Sequence, residues 1–317
     1  MFDKGFIVNA ISRSAESPVD RRNFLAAAGL SGLGVGAVAL TTGAPAMAAT
    51  ADNGAVTDAA ILNFALNLEY LEAEFYLRAT TGAGLPDSLT TGLGRRGRVD
   101  GGRAVPFKSP TLKKIAMEIA KDEKEHVVFL RSALGSAAVS RPALDLGASF
   151  TAAARAAGVV GMNQSFDPYE SETNFLFAAF LFEDVGVTAY KGAAPLITNK
   201  TYLEAAAGLL SVEAYHAAII RTTLFGLGIQ TPAVYGVVQK LSDARDSLDG
   251  KSDDDQGIGT LAAPNLVPVD ANALTYSRSA GQVLNIVYLN PAAVTSGGFF
   301  PGGVNGAINK SAMSQVS

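Results

Sequence analysis

EIAKDEKEHVVFLRSAL, residues 118–134, holds one of only two histidines in a chain of 317 residues. His126 follows Glu123 by three positions. The second histidine, His216 in LLSVEAYHAAII (209–220), follows Glu213 by the same three. Residues three apart on a helix share a face, so Glu-x-x-His offers a carboxylate oxygen and an imidazole nitrogen to one point in space. A single copy reads as a surface ion pair or a satisfied core histidine. Two copies that use every histidine, in a chain with 12 glutamates, are roughly a one-in-several-hundred coincidence.

Both copies sit in segments with helical patterning. The first such segment spans about 58–79, where Ile61, Phe64, Ala65, Leu68, Glu72 and Phe75 recur at helical spacing behind Thr57 or Asp58 as N-cap. The second spans about 109–134, with Pro110 in its first turn and Gly135 at its stop. The third spans about 171–196 and the fourth about 200–225, ending at Gly226. A short link around Asn199 makes the last two antiparallel neighbours. About 36 residues separate the second from the third, enough to cross the length of a bundle, and FTAAARAA (150–157) suits a short helix there. The expected fold is all-α, a four-helix bundle at 57–226 with one long crossover.

The remainder is less regular. GAGLPDSLTTGLGRRGRVDGGRAVPF (82–107) reads as a solvated Gly/Arg-rich connection, and DARDSLDGKSDDDQG (243–257) as a solvated acidic loop without calcium-loop spacing. Residues 227–317 form a C-terminal extension with minor β structure. It has one expected strand in GQVLNIVYL (281–289), and GGFFPGGVNG (297–306) is apolar enough to pack on the bundle or on a partner subunit.

Residues 18–48, PVDRRNFLAAAGLSGLGVGAVALTTGAPAMA, pair Arg21 and Arg22 with a Gly/Ala-rich apolar run that closes on Ala46-Met47-Ala48. This looks like a twin-arginine export signal spanning 1–48, with cleavage after Ala48. It implies the twin-arginine machinery as a partner and a periplasmic, cell-envelope or extracellular address, with no membrane span left after processing. Cleavage removes four basic and three acidic residues, leaving 21 against 26, a net charge of −5. That balance argues against a nucleic-acid partner. The absence of cysteine excludes thiolate metal sites and thiol catalysis.

Burial sharpens the chemistry. Glu183 closes FLFAAFLF (175–182), apolar on every helical face, and Glu213 lies in an equally apolar run. Unpaired carboxylates there would cost several kcal/mol, and no Lys or Arg lies within either run. A metal is the economical cation. The first helix offers Glu69, Glu72 and Glu74. Glu69 precedes Tyr76 by seven, as Glu183 precedes Tyr190, so Glu69 is the expected ligand and Glu72 the fallback. Tyr76 and Tyr190 could orient the carboxylates or simply pack in the core.

LNFALNLEYLEAEFY, KDEKEH, FLFEDVGVTAY and SVEAYH resemble the ferritin-like superfamily, most of all its exported desiccation-related branch. The resemblance covers about 57–225, and carried over position by position it implies Glu69, Glu123, His126, Glu183, Glu213 and His216 as ligands. By analogy with the family, Glu123 and Glu213 bridge two metals while Glu69 and Glu183 are terminal. Four carboxylates and two imidazoles suit two iron or two manganese ions, or one of each. The expected function is redox chemistry on dioxygen or hydrogen peroxide, of ferroxidase, peroxidase or catalase type, in oxidative or desiccation stress. The alternative is a structural or stress-protective protein whose metals staple the fold. A homo-oligomer is compatible with either. Ligation needs neutral histidine, so metal affinity is expected to weaken below about pH 6.

Overall fold

In the computed structural model, which describes residues 56–314, the Thr57 side chain accepts a hydrogen bond from the Ala60 N–H and opens helix α1, Asp58–Thr81. Gly82, at φ 82°, closes it with its N–H on the Arg78 carbonyl. A left-handed cap of this kind favours glycine. Ser109 caps α2 (Pro110–Leu134), with Pro110 at the start, where a missing N–H costs nothing. Ser171 caps α4 (Glu172–Ala193) and Asn199 caps α5 (Lys200–Gln230). The leader read at 1–48 lies outside the described residues.

α1 packs chiefly on α2, and α4 on α5. The crossover between the pairs contains β2 (Leu144–Leu146), parallel to β1 (Val99–Gly101), then the short helix α3 (Ala148–Ala156). The architecture is the all-α ferritin-like bundle with one long crossover. Every residue of α4 from Phe175 to Tyr190 is buried, as an all-round apolar helix must be. The core at one end of the bundle is aromatic: Phe75 touches Tyr76, Phe150, Tyr169, Phe175 and Phe182. Burying each such ring contributes on the order of 2 kcal/mol or more.

Three expectations need correction. α5 does not stop at Gly226 but runs through Gly226 and Gly228 to Gln230. A glycine costs only about 1 kcal/mol inside a helix, and Gly228 is useful because a side chain there would meet the Tyr235 ring. GQVLNIVYL is helical, as α7 (Ala280–Val287), which Ser279 and Gln282 open with a reciprocal capping box. The acidic stretch from 243 is not a solvated loop. Its first half belongs to α6 (Ala233–Asp249), while Asp249 and Asp255 are buried against Arg278. α5 is also long and apolar enough to cross a membrane by length and composition, a test that the core helix of a bundle passes as well. Its inward side carries Glu213, His216 and Arg221, as befits a bundle wall.

The extension is tied to the bundle by polar groups. Arg278 donates its backbone N–H to the Thr188 carbonyl, Arg245 pairs with Asp184 of α4, and Arg221 of α5 donates to the Gln256, Gly257, Asn265 and Leu266 carbonyls. Asn305, in GGFFPGGVNG, exchanges hydrogen bonds with Asn67 of α1 and also reaches the Arg95 and Ser140 carbonyls. The short strands β3 (Gly259–Thr260) and β4 (Ala263–Pro264) form its β hairpin.

Candidate metal centre

α1 supplies Glu69, α2 supplies Glu123 and His126, α4 supplies Glu183, and α5 supplies Glu213 and His216. All six are buried at the middle of the bundle. They fall into two groups whose donor atoms lie within 4.8 Å of one another: Glu69, Glu123, His126 and Glu213 in one, and Glu123, Glu183 and His216 in the other. Glu123 is common to both. Its Oε2 stands 3.5 Å from His126 Nδ1 and its Oε1 stands 2.9 Å from His216 Nδ1, so its two oxygens divide between the two imidazoles. Glu69 Oε2 lies 3.1 Å and Glu213 Oε1 3.7 Å from His126 Nδ1, while Glu183 Oε2 lies 3.7 Å from His216 Nδ1. The imidazole centroids are 6.2 Å apart.

The two tyrosines are crossed. Tyr76, on the helix of Glu69, donates its O–H to Glu183 Oε1; Tyr190, on the helix of Glu183, donates to Glu69 Oε1. Each O–H fixes the outer oxygen of a carboxylate and leaves the inner oxygen for the centre. Glu72 lies in the same buried patch, but belongs to neither donor group. Glu74 faces away and pairs with Arg78 and Arg141.

Two residues escaped the sequence reading. Asp122 is only part-exposed and brings Oδ2 to 3.5 Å from His216 Nε2, the ring nitrogen that points away from the centre. Its place directly before Glu123 was the available signal. Gly186 is the other. A Cβ there would stand 2.2 Å from Glu213 Oε2, so glycine makes the room that carboxylate occupies. Nothing in the local sequence marks it, since the constraint comes from another helix.

The electrostatics describe a site built for cations. Five buried carboxylates, Glu72 included, and two imidazoles converge with no Lys or Arg among them. Burial pushes Glu213 well above the usual carboxylate range, and Glu72, Glu123, Glu69 and Glu183 add to the shift. Burial likewise carries Glu183 to about 8, against the charge of His216. Burial alone would lower the histidines. The carboxylates overcome it, Glu69 and Glu123 lifting His126 to about 11, and Glu183 and Glu123 lifting His216 to about 9. Glu123 moves the other way: burial raises it, but the two imidazoles outweigh that and hold it below the ordinary value. Both oxygens of Glu123 and of Glu213, Glu183 Oε2 and both nitrogens of His216 lack an aligned hydrogen-bond partner. Orphaned buried polar atoms in this number, all but His216 Nε2 turned toward the donor groups, fit a pair of divalent cations with oxygen and nitrogen ligands.

Comparison with known proteins agrees with this geometry. The family model described as ferritin-like domain matches residues 57–226, more than half of the chain. The chain belongs to the ferritin-like domain family. Desiccation-related protein PCC13-62 of Craterostigma plantagineum is 32% identical over 243 residues, covering 72% of this chain and 76% of that protein. Ferritin-like catalase Nec2 of Nesocodon mauritianus is 29% identical over 275 residues, covering 82% and 88%. No solved structure matches the chain. The family match ends at 226, so the rest of α5, α6 and the extension lie beyond it.

Proposed function

We propose that this ferritin-like protein holds two iron or manganese ions, or one of each, and performs redox chemistry on hydrogen peroxide or dioxygen. The observation that carries the reading is Glu123, whose two oxygens divide between two histidine-bearing donor groups. Glu69, His126 and Glu213 would hold one ion, Glu183 and His216 the other, with Glu123 between them. Two cations of +2 balance the four carboxylates Glu69, Glu123, Glu183 and Glu213. When bound, the metals supply electrons to, or accept them from, an oxygen substrate. The chain itself orients Glu183 and Glu69 through Tyr76 and Tyr190, and its apolar helices keep bulk water away. The relative named a ferritin-like catalase supports peroxide as the substrate to try first.

Metal analysis after anaerobic reconstitution tests the site. Two equivalents per chain are expected, and fewer than one would remove the reading. Peroxide and dioxygen consumption by the loaded protein then separates redox chemistry from the second reading, a structural staple. That alternative rests on the same observation that makes it physical: the six residues come from four different helices, so bound ions would clamp all four. An inert loaded protein whose melting temperature collapses on chelation would favour the staple.

The leader at 18–48 supports export through the twin-arginine route to the periplasm, envelope or exterior. A mature N-terminus at Ala49, lost when Arg21 and Arg22 are both changed to lysine, is the expected result. An unprocessed but exported chain would refute it.

A further inference from the structure

Glu72 has no role in the donor groups, yet it is a buried carboxylate on the same side of the bundle. Only 5% of its surface is exposed, and no hydrogen bond or ion pair joins it to any described residue. It lies at a small apolar recess whose walls include Leu68 and Leu71 of α1, Phe182 and Gly186 of α4, and Val287 with Phe299 from the C-terminal extension. The free volume, about 20 Å³, admits one or two water-sized molecules. Gly186 is the thin point of the wall: a Cβ there would stand 2.2 Å from Glu213 Oε2 and 3.6 Å from Glu72 Oε1. Absence of that one carbon brings the recess up to a proposed metal ligand.

We propose that this recess is the entry by which a small neutral oxidant, hydrogen peroxide, reaches the metal centre. Glu72 is its binding residue, accepting a hydrogen bond from a peroxide O–H, and Val287 and Phe299 set the size limit. The idea rests on the redox reading above and adds the route, the substrate class and a role for the extension. Apolar walls suit an uncharged molecule, since an anion would lose its hydration there without a cationic partner. Peroxide carries two O–H donors, and the polar group on the recess is the Glu72 carboxyl, whose carbonyl oxygen accepts. A molecule of two heavy atoms fits the volume, and a tertiary alkyl hydroperoxide does not.

Three variants of the full chain, reconstituted with metal, test this. Val287→Phe narrows the recess from the extension side, away from every ligand. It should keep two metal equivalents, lose xenon density from the recess under xenon pressure, and lower kcat/KM for hydrogen peroxide at least tenfold. Val287→Ala should raise the rate with tert-butyl hydroperoxide relative to hydrogen peroxide, and it decides the matter if the phenylalanine variant does not fold. Glu72→Ala should keep both metal equivalents while kcat/KM for peroxide falls at least tenfold. Loss of an equivalent would make Glu72 a ligand and overturn the assignment. Fully loaded Val287 variants with native peroxide rates and native size preference would overturn the route. A native loaded protein inert to peroxide and dioxygen would instead overturn the redox reading, and this proposal with it.

Discussion

Gly186 sits in the interior of a buried helix, where alanine is ordinarily the better residue by about 1 kcal/mol. Here the expected sign is reversed. A methyl group at 186 would meet Glu213 Oε2 at 2.2 Å, so Gly186→Ala should displace that carboxylate and reduce bound metal below two equivalents. Metal analysis of the folded variant checks it, and a protein more stable than the parent with full metal would show that Glu213 moves at no cost. A companion pair reads the sharing of Glu123. Glu183→Ala should lose one equivalent, because Glu183 appears in one donor group, whereas Glu123→Ala should lose both. The residues legible from sequence were those with a local signature: Glu-x-x-His twice, and Glu-x6-Tyr twice. The crossing of the tyrosines was not legible, because both frames look self-contained along the chain and only α1–α4 packing joins each tyrosine to the other helix's glutamate. Gly186 was missed for the same reason, since the carboxylate it makes room for is on α5.

At the scale of elements, the four helices were readable because their signals are local: apolar periodicity, Thr57 as a cap and Pro110 in a first turn, to which the structure adds Ser109, Ser171 and Asn199 as caps that accept from the first turn they open. The extension was misread where tertiary pairing decided. VLNIV is rich in β-branched residues, yet a capping box and burial against α4 and α6 make it α7. The acidic run looked solvated because its partners, Arg245 within it and Arg278 twenty-odd residues on, are brought in by the fold. These pairs carry a prediction. Arg278 is fully buried and holds Asp249 and Asp255 together, so Arg278→Ala leaves Asp249 without a cation and Asp255 with one of its two. Asp255 keeps Arg245, so Asp249 is the carboxylate left unpaired. The cost should be about 3 kcal/mol, seen as a fall in denaturant midpoint, while Arg98→Ala, an exposed pair with Asp100, should cost less than about 1 kcal/mol. Equal effects would mean the buried network is not what attaches the extension.

For the whole molecule, the metal-free protein should respond to pH in the opposite sense to an ordinary acidic protein. His126 is raised from 6.5 to about 11 and His216 from 6.5 to about 9, while Glu183 is raised from 4.5 to about 8 by burial. Each binds its proton more tightly folded than unfolded, so its contribution is complete below the unfolded value and drains away as pH rises: between 4.5 and 8 for Glu183, 6.5 and 9 for His216, and 6.5 and 11 for His126. Glu123 is the exception. Its pKa is depressed by the imidazoles, so its contribution is present above 4.5 and is lost toward acid. The metal-free chain should therefore be most stable near pH 5 and lose stability steadily to pH 9, by about 1.4 kcal/mol per pH unit for each proton whose release unfolding favours. Metal reverses this, because the ions replace those protons and binding tightens as pH rises. The window also moves. Ordinary histidines would place the loss of affinity below about pH 6, but these compete for protons up to about pH 9 and 11, so affinity should still be climbing between pH 7 and 9. Thermal melts at pH 5, 7 and 9, with and without chelator, measure both. The chelated protein should melt lower at each step, the loaded protein should not, and the gap between them should widen toward alkaline pH. A metal-free melting temperature that rises from pH 5 to 9 would mean that the buried carboxylates and imidazoles do not share protons in the absence of metal.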